Sequence, residues 1–167
     1  AETRDGLMKS RDNGNSWELI ADKTWGGGIN KIYFIDNNTG FVSGDAYSGS
    51  GGPTPYTLRT EDAGDNWILQ NFGYSISDVH FNDKNNGIAV GNGLGFHGAD
   101  GIALVTNDGG STWKPTYNSN YFWINSCFML DQYTGFISIN DDKIYKTTDT
   151  GANWVIAYES NPDSVAS

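Results

Sequence analysis

The sequence has little of what marks a disulfide scaffold, a membrane-spanning protein or a nucleic-acid-binding protein. Its 167 residues include one cysteine, Cys127, so no internal disulfide can form. No apolar run approaches the roughly 20 residues that a helix needs to cross a bilayer. Only 10 Lys and Arg residues stand against 20 Asp and Glu residues, for a net charge of −10. Such an acidic chain repels phosphate, and we therefore expect no nucleic-acid partner. Because the apolar runs are short, we also expect no membrane insertion.

Helical periodicity is also missing, since no window places apolar residues at i, i+3, i+4 and i+7. Instead, 22 glycines and an aromatic content of 14% accompany short clusters of Asn, Ser, Thr, Gly and Asp between apolar runs. That texture is typical of short strands joined by tight turns. The composition predicts an all-β protein.

A repeated motif, Ser/Thr-x-Asp-x-Gly-x-x-Trp, occurs four times along the chain. Its aspartates are 50, 46 and 41 residues apart. The Asp carboxylate is suited to accept backbone N–H bonds across a turn, and the Gly supplies a positive φ. The Trp is expected to anchor the hairpin by burying its ring. We predict a structural role for these residues: Asp12, Gly14, Trp17, Asp62, Gly64, Trp67, Asp108, Gly110, Trp113, Asp149, Gly151 and Trp154.

A second motif alternates with the first. Its pattern is apolar-x-Asp-x-x-x-Gly, and its three copies begin at Phe34, Phe81 and Met129. Each copy follows a segment in which apolar and polar residues alternate. Together the two motifs define a unit of four short antiparallel strands in about 40–45 residues, the period of a propeller blade. We predict a half blade over 6–21, blades over 29–71, 76–117 and 124–158, and a tail over 159–167. The whole of 1–167 is expected to be one β-propeller domain or part of one.

The four boxes, with the Phe-x-Asp-x-x-x-Gly turn and the segment from Gly40 to Asp45, resemble the Asp-box (BNR) propellers. Within that group they are most similar to the photosystem II stability/assembly-factor-like family. The resemblance covers about residues 6–158 and implies a propeller made of four-stranded blades. Asp boxes also occur in sialidases, sortilin-type receptors and glycosidases, so the resemblance leaves the activity open.

Three and a half blades leave apolar sheet faces uncovered, whereas a propeller normally closes its sheets into a ring. The arc is open to completion by further blades of a longer protein, by a second copy that brings the number to seven, or by a filament made by strand donation. A closed four-blade ring is a further option, but residues 160–167 offer no convincing strand one or two for the first blade. We therefore expect a homo-oligomer or filament if the chain is complete. A first residue other than Met fits either a processed chain or an excised piece.

The insertions and the blade linkers lie at the end opposite to the boxes, and function on rigid scaffolds collects on such loops. Flat aromatic rings beside Asp and Asn suit recognition of a protein or a glycan. The candidate ligand-binding residues are Asp45, Tyr47, Tyr56, Asn92, Phe96, His97, Asp100 and Trp123. A single histidine in these loops makes no metal site, and we expect neither a metal nor a cofactor. Cys127 is expected to be a small buried hydrophobe.

An enzymatic role has weak support in the sequence. A sialidase needs three converging arginines, but two of the three arginines belong to box hairpins. A glycosidase needs two carboxylates roughly 5–10 Å apart, and Asp45 and Asp100 are the candidates. We predict a non-enzymatic interaction module, extracellular or periplasmic, that binds a protein or a glycan. The alternatives are a glycan-active enzyme fragment and a structural subunit of a self-assembling fibre or surface assembly.

Overall fold

The computed structural model describes residues 6–21, 27–47, 53–70, 72–93, 100–120 and 122–160. Within those ranges all regular elements are strands, and none of the described residues forms a helix that is suited to cross a membrane. The strands are β1 (Leu7–Lys9), β2 (Glu18–Ala21), β3 (Gly27–Phe34), β4 (Gly40–Tyr47), β5 (Pro53–Thr60), β6 (Ile68–Gln70), β7 (Ser75–Phe81), β8 (Gly87–Asn92), β9 (Gly101–Thr106), β10 (Lys114–Asn118), β11 (Ile124–Met129), β12 (Gly135–Ile139), β13 (Lys143–Thr147) and β14 (Val155–Glu159). The predicted all-β class is confirmed.

The chain divides into two compact units, residues 1–75 and 76–167, and each is described by itself. The first unit contains a two-stranded sheet, β1-β2, and a four-stranded sheet in the order β3-β4-β5-β6. The second contains two four-stranded sheets, β7 to β10 and β11 to β14, again with neighbours in chain order. The four-strand repeat deduced from the motifs is therefore present three times. The assignment of the whole chain to one domain stays a prediction.

The core of the second unit lies between its two sheets. The β7–β10 sheet contributes Ile88, Val90, Ala103 and Val105, and the β11–β14 sheet contributes Ile124, Cys127, Met129, Ile137 and Ile139. Tyr117, Tyr145 and Trp154 pack against this cluster from its margin. Cys127 is buried, as the sequence predicts. Alternation of apolar residues along each strand places one face of each sheet in this core.

The core of the first unit lies between the two-stranded sheet and its four-stranded neighbour. Leu7 is buried with Val42, Tyr56 and Leu58, and Ile20 packs against them. Trp67 and Ala46 lie at the edge of the same cluster. The two-stranded sheet thereby packs on the middle strands of the larger one, β4 and β5.

Each box is a closed hydrogen-bonded loop, and the second shows its geometry. The hydroxyl of Thr60 donates to the carboxylate of Asp62 at 2.8 Å and accepts from the backbone N–H of Gly64 at 2.9 Å. The same carboxylate oxygen accepts from the backbone N–H of Asn66 at 2.8 Å. Two successive residues, Ala63 and Gly64, have positive φ values of 59° and 85°. The threonine and aspartate therefore satisfy the loop's N–H groups while the glycine relieves backbone strain.

The box tryptophans differ from one another. Trp67 and Trp113 lie edge-on to phenylalanines of strand one in their own sheets, Phe34 at 6.3 Å and Phe81 at 5.7 Å between ring centroids. Trp154 packs against the second unit's core. The prediction of a buried ring is wrong for Trp17, which is 61% exposed. The two-stranded sheet that carries it has only the equivalents of strands three and four, so no strand-one phenylalanine faces it within that sheet.

Candidate binding surface at the loop end of the second unit

The second unit has a box end and a loop end. At the loop end β8, β10 and β12 finish and β9, β11 and β13 begin, as their antiparallel pairing requires. We use the term loop end for residues 92–93, 100–101, 118–120, 122–124 and 139–143. Residues 94–99 and 121 lie outside the described residues.

Backbone hydrogen bonds fix the linker between β10 and β11. The N–H of Gly101 donates to the carbonyl oxygen of Phe122 at 3.1 Å, and the hydroxyl of Ser119 donates to the same oxygen. The N–H of Asn140 donates to the carbonyl oxygen of Trp123 at 2.8 Å. The rings of Phe122 and Trp123 are nevertheless 44% and 55% exposed. Two large aromatic side chains thus project from a backbone that is already held in place.

Glycine is required at position 101 by this arrangement. A Cβ there would lie 2.5 Å from the Ile124 side chain and 2.6 Å from the carbonyl oxygen of Phe122. Both distances are below those that real Cβ atoms adopt. A side chain at position 101 would therefore push β9 away from the linker that carries the two exposed rings.

Asn92, a predicted ligand residue, holds the start of β11. Its side-chain amide donates to the Ser77 hydroxyl at 2.9 Å and to the Ile124 carbonyl oxygen at 3.3 Å. Its side-chain oxygen accepts from the backbone N–H of Ile124 at 2.9 Å. The amide therefore positions the linker, and the assignment of Asn92 to ligand binding stays a prediction.

Three aspartates, Asp100, Asp141 and Asp142, also lie at the loop end. One oxygen of Asp141 accepts from Lys143 at 2.9 Å, while the other is buried and accepts no hydrogen bond from any described residue. That hydrogen bond raises the pKa of Lys143 against some desolvation, and a separate ion pair with Glu159 at 3.4 Å raises it further. Asp100 and Asp142 are exposed. The loop end is thus acidic, with one acceptor oxygen unused.

Tyr117 and Tyr145 lie beneath this surface with ring centroids 5.5 Å apart. Burial raises the pKa of Tyr117, and Tyr145 and Asp141 raise it further. Asp141 therefore lies close enough to Tyr117 for its charge to disfavour the ionised phenol.

The remaining predicted ligand residues lie elsewhere. In the first unit, Asp45 accepts from Asn30 and from Ser75, each at 2.9 Å. Tyr56 lies in the core with its hydroxyl donating to the Gly28 carbonyl oxygen at 3.4 Å, which leaves little of its ring for a ligand. Tyr47 ends β4, and its side chain is outside the described part, as are Phe96 and His97. The assignment of these residues to ligand binding stays a prediction.

The turn at residues 140–142 and the Ser119 hydroxyl escaped the sequence analysis. That turn joins β12 to β13 in three residues and is too short to resemble an insertion. The only feature of the sequence that could have indicated this turn is its run of three polar residues, Asn140, Asp141 and Asp142. Phe122 stands directly before Trp123 in the same linker but carried no motif of its own.

The box aspartates are poor candidates for proton transfer. The backbone N–H of Asn66, with smaller contributions from the Asn66 side chain and Thr60, lowers the pKa of Asp62 to about 2. The Asn153 side chain lowers the pKa of Asp149 in the same way. These carboxylates are ionised and fully engaged at neutral pH. Among the residues that the structure describes, no group of three or more His, Cys, Asp or Glu side chains is arranged to hold a metal ion.

A cavity of about 300 Å³ lies at the box end of the second unit. Its lining comprises Val105, Thr106, Asn107, Thr112, Lys114, Thr116, Asp149, Thr150 and Ala152. Thr106, Thr112 and Asp149 already use their polar atoms within the boxes. The cavity is therefore largely a by-product of hairpin packing.

Comparison with known proteins bears on the fold. No protein-family model and no curated protein matches the chain. Among solved structures, "YCF48 bound to D1 peptide" is 23% identical with a TM-score of 0.62, over 80% of this chain and 40% of that one. YCF48 from Cyanidioschyzon merolae is 20% identical with a TM-score of 0.65, over 84% of this chain and 43% of that one.

A GH74 enzyme from Niastella koreensis is also similar, at 16% identity and a TM-score of 0.61, over 93% of this chain and 27% of that one. The chain thus spans less than half the length of each of these three proteins. YCF48 is a photosystem II assembly factor with a β-propeller fold. The predicted class is confirmed: the chain has the fold of a β-propeller segment similar to YCF48.

Proposed function

We propose that this chain is a non-enzymatic module that binds a segment of another protein at the loop end of its second unit. The observation that carries the proposal is the exposed pair Phe122 and Trp123 on a hydrogen-bonded backbone. Exposed aromatic residues with a fixed backbone lose little entropy on binding, and Trp is enriched among the residues that dominate interface energies.

The acidic surroundings indicate the chemistry of the bound segment. The exposed carboxylates of Asp100 and Asp142 favour a cationic partner. Together with the two rings at the same end of the unit, they suit a segment with an apolar side chain beside a lysine or arginine. A propeller of similar fold, YCF48, has been solved with a D1 peptide, which supports a peptide ligand as the class.

A selected peptide ligand provides the test. A displayed library of linear peptides is panned on the full chain, and the affinity of the enriched peptides is measured for Phe122→Ala, Trp123→Ala and Trp17→Ala. Trp17 is the matched control, since it is similarly exposed but belongs to a box. We expect at least a tenfold loss for the first two variants and an unchanged affinity for the third. Failure to enrich any peptide, or an equal loss with Trp17→Ala, contradicts the proposal.

Glycan binding is the second candidate, because Trp123 is also suited to stack on a sugar ring and a GH74 enzyme shares the fold. The predicted glycosidase pair has one member, Asp45, that accepts hydrogen bonds from Asn30 and Ser75. A glycan array on the full chain distinguishes the two candidates. If a glycan is cleaved and Asp45→Asn with Asp100→Asn abolishes cleavage, the non-enzymatic proposal is wrong. The structural-subunit role and the extracellular or periplasmic location stay predictions.

A further inference from the structure

One edge of β11 is held by side chains of the preceding sheet instead of by a strand. Within its own sheet β11 is the first strand and pairs with β12 alone. The backbone N–H groups of Ile124, Cys127 and Met129 donate to side chains of the β7–β10 sheet. Without those acceptors the three groups would be unpaired donors at a sheet edge.

Two of the three acceptors keep their protonation state near neutral pH. The amide oxygen of Asn92 does not titrate. The carboxylate of Asp78 accepts from the Ser126 hydroxyl at 2.7 Å and from the Cys127 N–H at 3.1 Å with one oxygen. Aspartate ordinarily protonates only near pH ~4. The third acceptor, on His80, differs from both.

The bond from Met129 to His80 requires a neutral imidazole. Nδ1 of the His80 ring accepts the N–H of Met129 at 3.0 Å. A ring nitrogen accepts a hydrogen bond only while it carries no proton, so the proton of this ring belongs on Nε2. An imidazolium would direct a second N–H at the Met129 N–H, and two donors would then face each other. Protonation of His80 therefore breaks the bond.

The immediate surroundings of His80 tolerate a positive charge. Its ring lies on the ring of Phe128, with the centroids 4.2 Å apart and the planes 36° apart. The face of an aromatic ring attracts a cation, and the carboxylate of Asp78, two residues earlier on β7, also favours the imidazolium. Both groups stabilise the charge, but neither replaces the acceptor that Met129 loses.

Other charged groups near this edge are few and balanced. Strands β8 and β12 have no titratable side chain, and the thiol of Cys127 on β11 lies in the core. Lys146 is two strands away on β13, with its ammonium group 5.8 Å from the ring centroid of Phe136. The turns after β7 and β11 add the exposed Asp83, Lys84 and Asp131. Two carboxylates thus stand against two ammonium groups, and Asp78 is the charge that decides.

We propose that His80 is a proton-operated latch between the two sheets of the second unit. It holds the Met129 N–H when neutral and releases it when protonated. Histidine ordinarily titrates near pH ~6.5, so mild acid operates the latch. Because Asn92 still holds Ile124, acid frees the box-end half of β11 and leaves its loop-end half in place. The latch needs no ligand at the loop end and does not depend on the proposed function.

The repeat shows that the latch is particular to this sheet. Tyr33 and Phe128 occupy the position of His80 in the other two first strands, β3 and β11. Neither side chain gains a proton between pH 8 and pH 5. The same blade architecture is therefore built elsewhere in the chain without a group that responds to mild acid.

NMR on the full chain without ligand provides the test. The His80 ring is titrated from pH 8 to pH 5, and the protection factor of each β11 amide is measured at both ends of the titration. We expect the ring proton on Nε2 at pH 8 and at least a tenfold lower protection factor for Met129 at pH 5. Ile124 is the internal control: its acceptor does not titrate, so its protection should stay unchanged.

Two variants separate the latch from a general effect of acid. His80→Asn places a side-chain oxygen near the position of Nδ1 and does not titrate, so Met129 protection should become independent of pH. His80→Phe keeps a ring against Phe128 but removes the acceptor, so Met129 protection should be low at both pH values. If a variant fails to fold, the wild-type titration still decides, because the Met129 amide shift must follow the His80 ring with the same midpoint.

Several results would overturn the proposal. They are a ring proton on Nδ1 at pH 8, a ring that stays neutral at pH 5, and Met129 protection that is unchanged once His80 is protonated. A pH response that persists in His80→Asn would assign the effect to another group. An equal loss at Ile124 would show that the whole strand loosens, which also contradicts a latch at one end.

Discussion

The backbone N–H of Ala63 donates to the carbonyl oxygen of Asn38 at 2.8 Å and joins the box turn of the first large sheet to the turn between its strands one and two. The other two four-stranded sheets repeat the contact, from Gly109 to Asn85 at 2.9 Å and from Thr150 to Tyr133 at 3.0 Å. The donor is each time the residue before the box glycine. Each four-stranded sheet is thus closed at its box end by a contact between its two turns.

Ala63 provides this N–H at a cost, since its φ is +59°. A Cβ in that region is unfavourable by roughly 1–2 kcal/mol, and the extra chain entropy of glycine offsets only part of it. Ala63→Gly should therefore raise the free energy of unfolding by about 0.5–1 kcal/mol. Urea denaturation measures the change. Ala152→Gly is the control: Ala152 is outside the positive-φ residues, and its replacement should lower stability.

The low pKa of Asp62 should make the stability of the fold depend on pH. Its pKa is about 2 in the folded chain, below its ordinary value, so the stabilisation is complete above pH ~4 and is lost as the pH falls through 2. Asp62→Asn should therefore be less stable than wild type at pH 7, and the difference should shrink between pH 4 and pH 2. Denaturation midpoints of both proteins at pH 7, 4 and 2.5 test this. A difference that stays constant with pH would show that the carboxylate is not held by its N–H donors.

Replacement by phenylalanine should affect the two box tryptophans of the second unit, Trp113 and Trp154, unequally. Trp113 donates its Nε1–H to the Gly110 carbonyl oxygen at 3.1 Å, whereas the Nε1–H of Trp154 is buried and finds no acceptor among the described residues. Both variants, Trp113→Phe and Trp154→Phe, lose apolar area, but only the first loses a hydrogen bond. Trp113→Phe should be the more destabilising by about 1 kcal/mol in thermal denaturation. Equal losses would mean that the Trp113 bond contributes nothing.

Gly44 and Gly28 form a matched pair in paired strands. A Cβ on Gly44 would collide with the carbonyl oxygen of Gly28 and the hydroxyl of Tyr56, whereas one on Gly28 meets nothing within 4 Å. Gly44→Ala should cost about 1–3 kcal/mol or more through overpacking. Gly28→Ala should be neutral or stabilising, because alanine loses less entropy in a strand. Melting temperatures of the two variants give the comparison, and similar values would contradict the close approach of β4 to β3.

The repeat made the strand order predictable, because the aspartate, glycine and apolar residues recur at fixed offsets. Asp36, Asp83 and Asp131 each accept two backbone N–H bonds in the turn that the second motif predicts. Each of these hydrogen bonds joins residues that are only two or three positions apart, so the turn can be predicted from the local sequence alone.

Features that depend on a neighbouring sheet were harder to predict. Trp17 has the same motif as Trp67 but lacks a strand-one ring beside it, and its exposure follows from that difference. Tyr56 stands at the end of an insertion in the sequence, yet it packs in a core with Leu7, some 49 residues earlier. The fixed backbone below Phe122 depends on Gly101 and Ser119, whose roles become visible only when β9 approaches the linker.

The boxes build the sheets, and we propose that the opposite end of the second unit binds the ligand. Backbone amide NMR shifts of the full chain, titrated with a peptide enriched on it, measure where the ligand lies. We expect the largest shifts at residues 119, 120, 122–124 and 140–142, with the box amides of Gly110 and Gly151 unchanged. Shifts concentrated at those two glycines, with residues 122–124 unmoved, would contradict it.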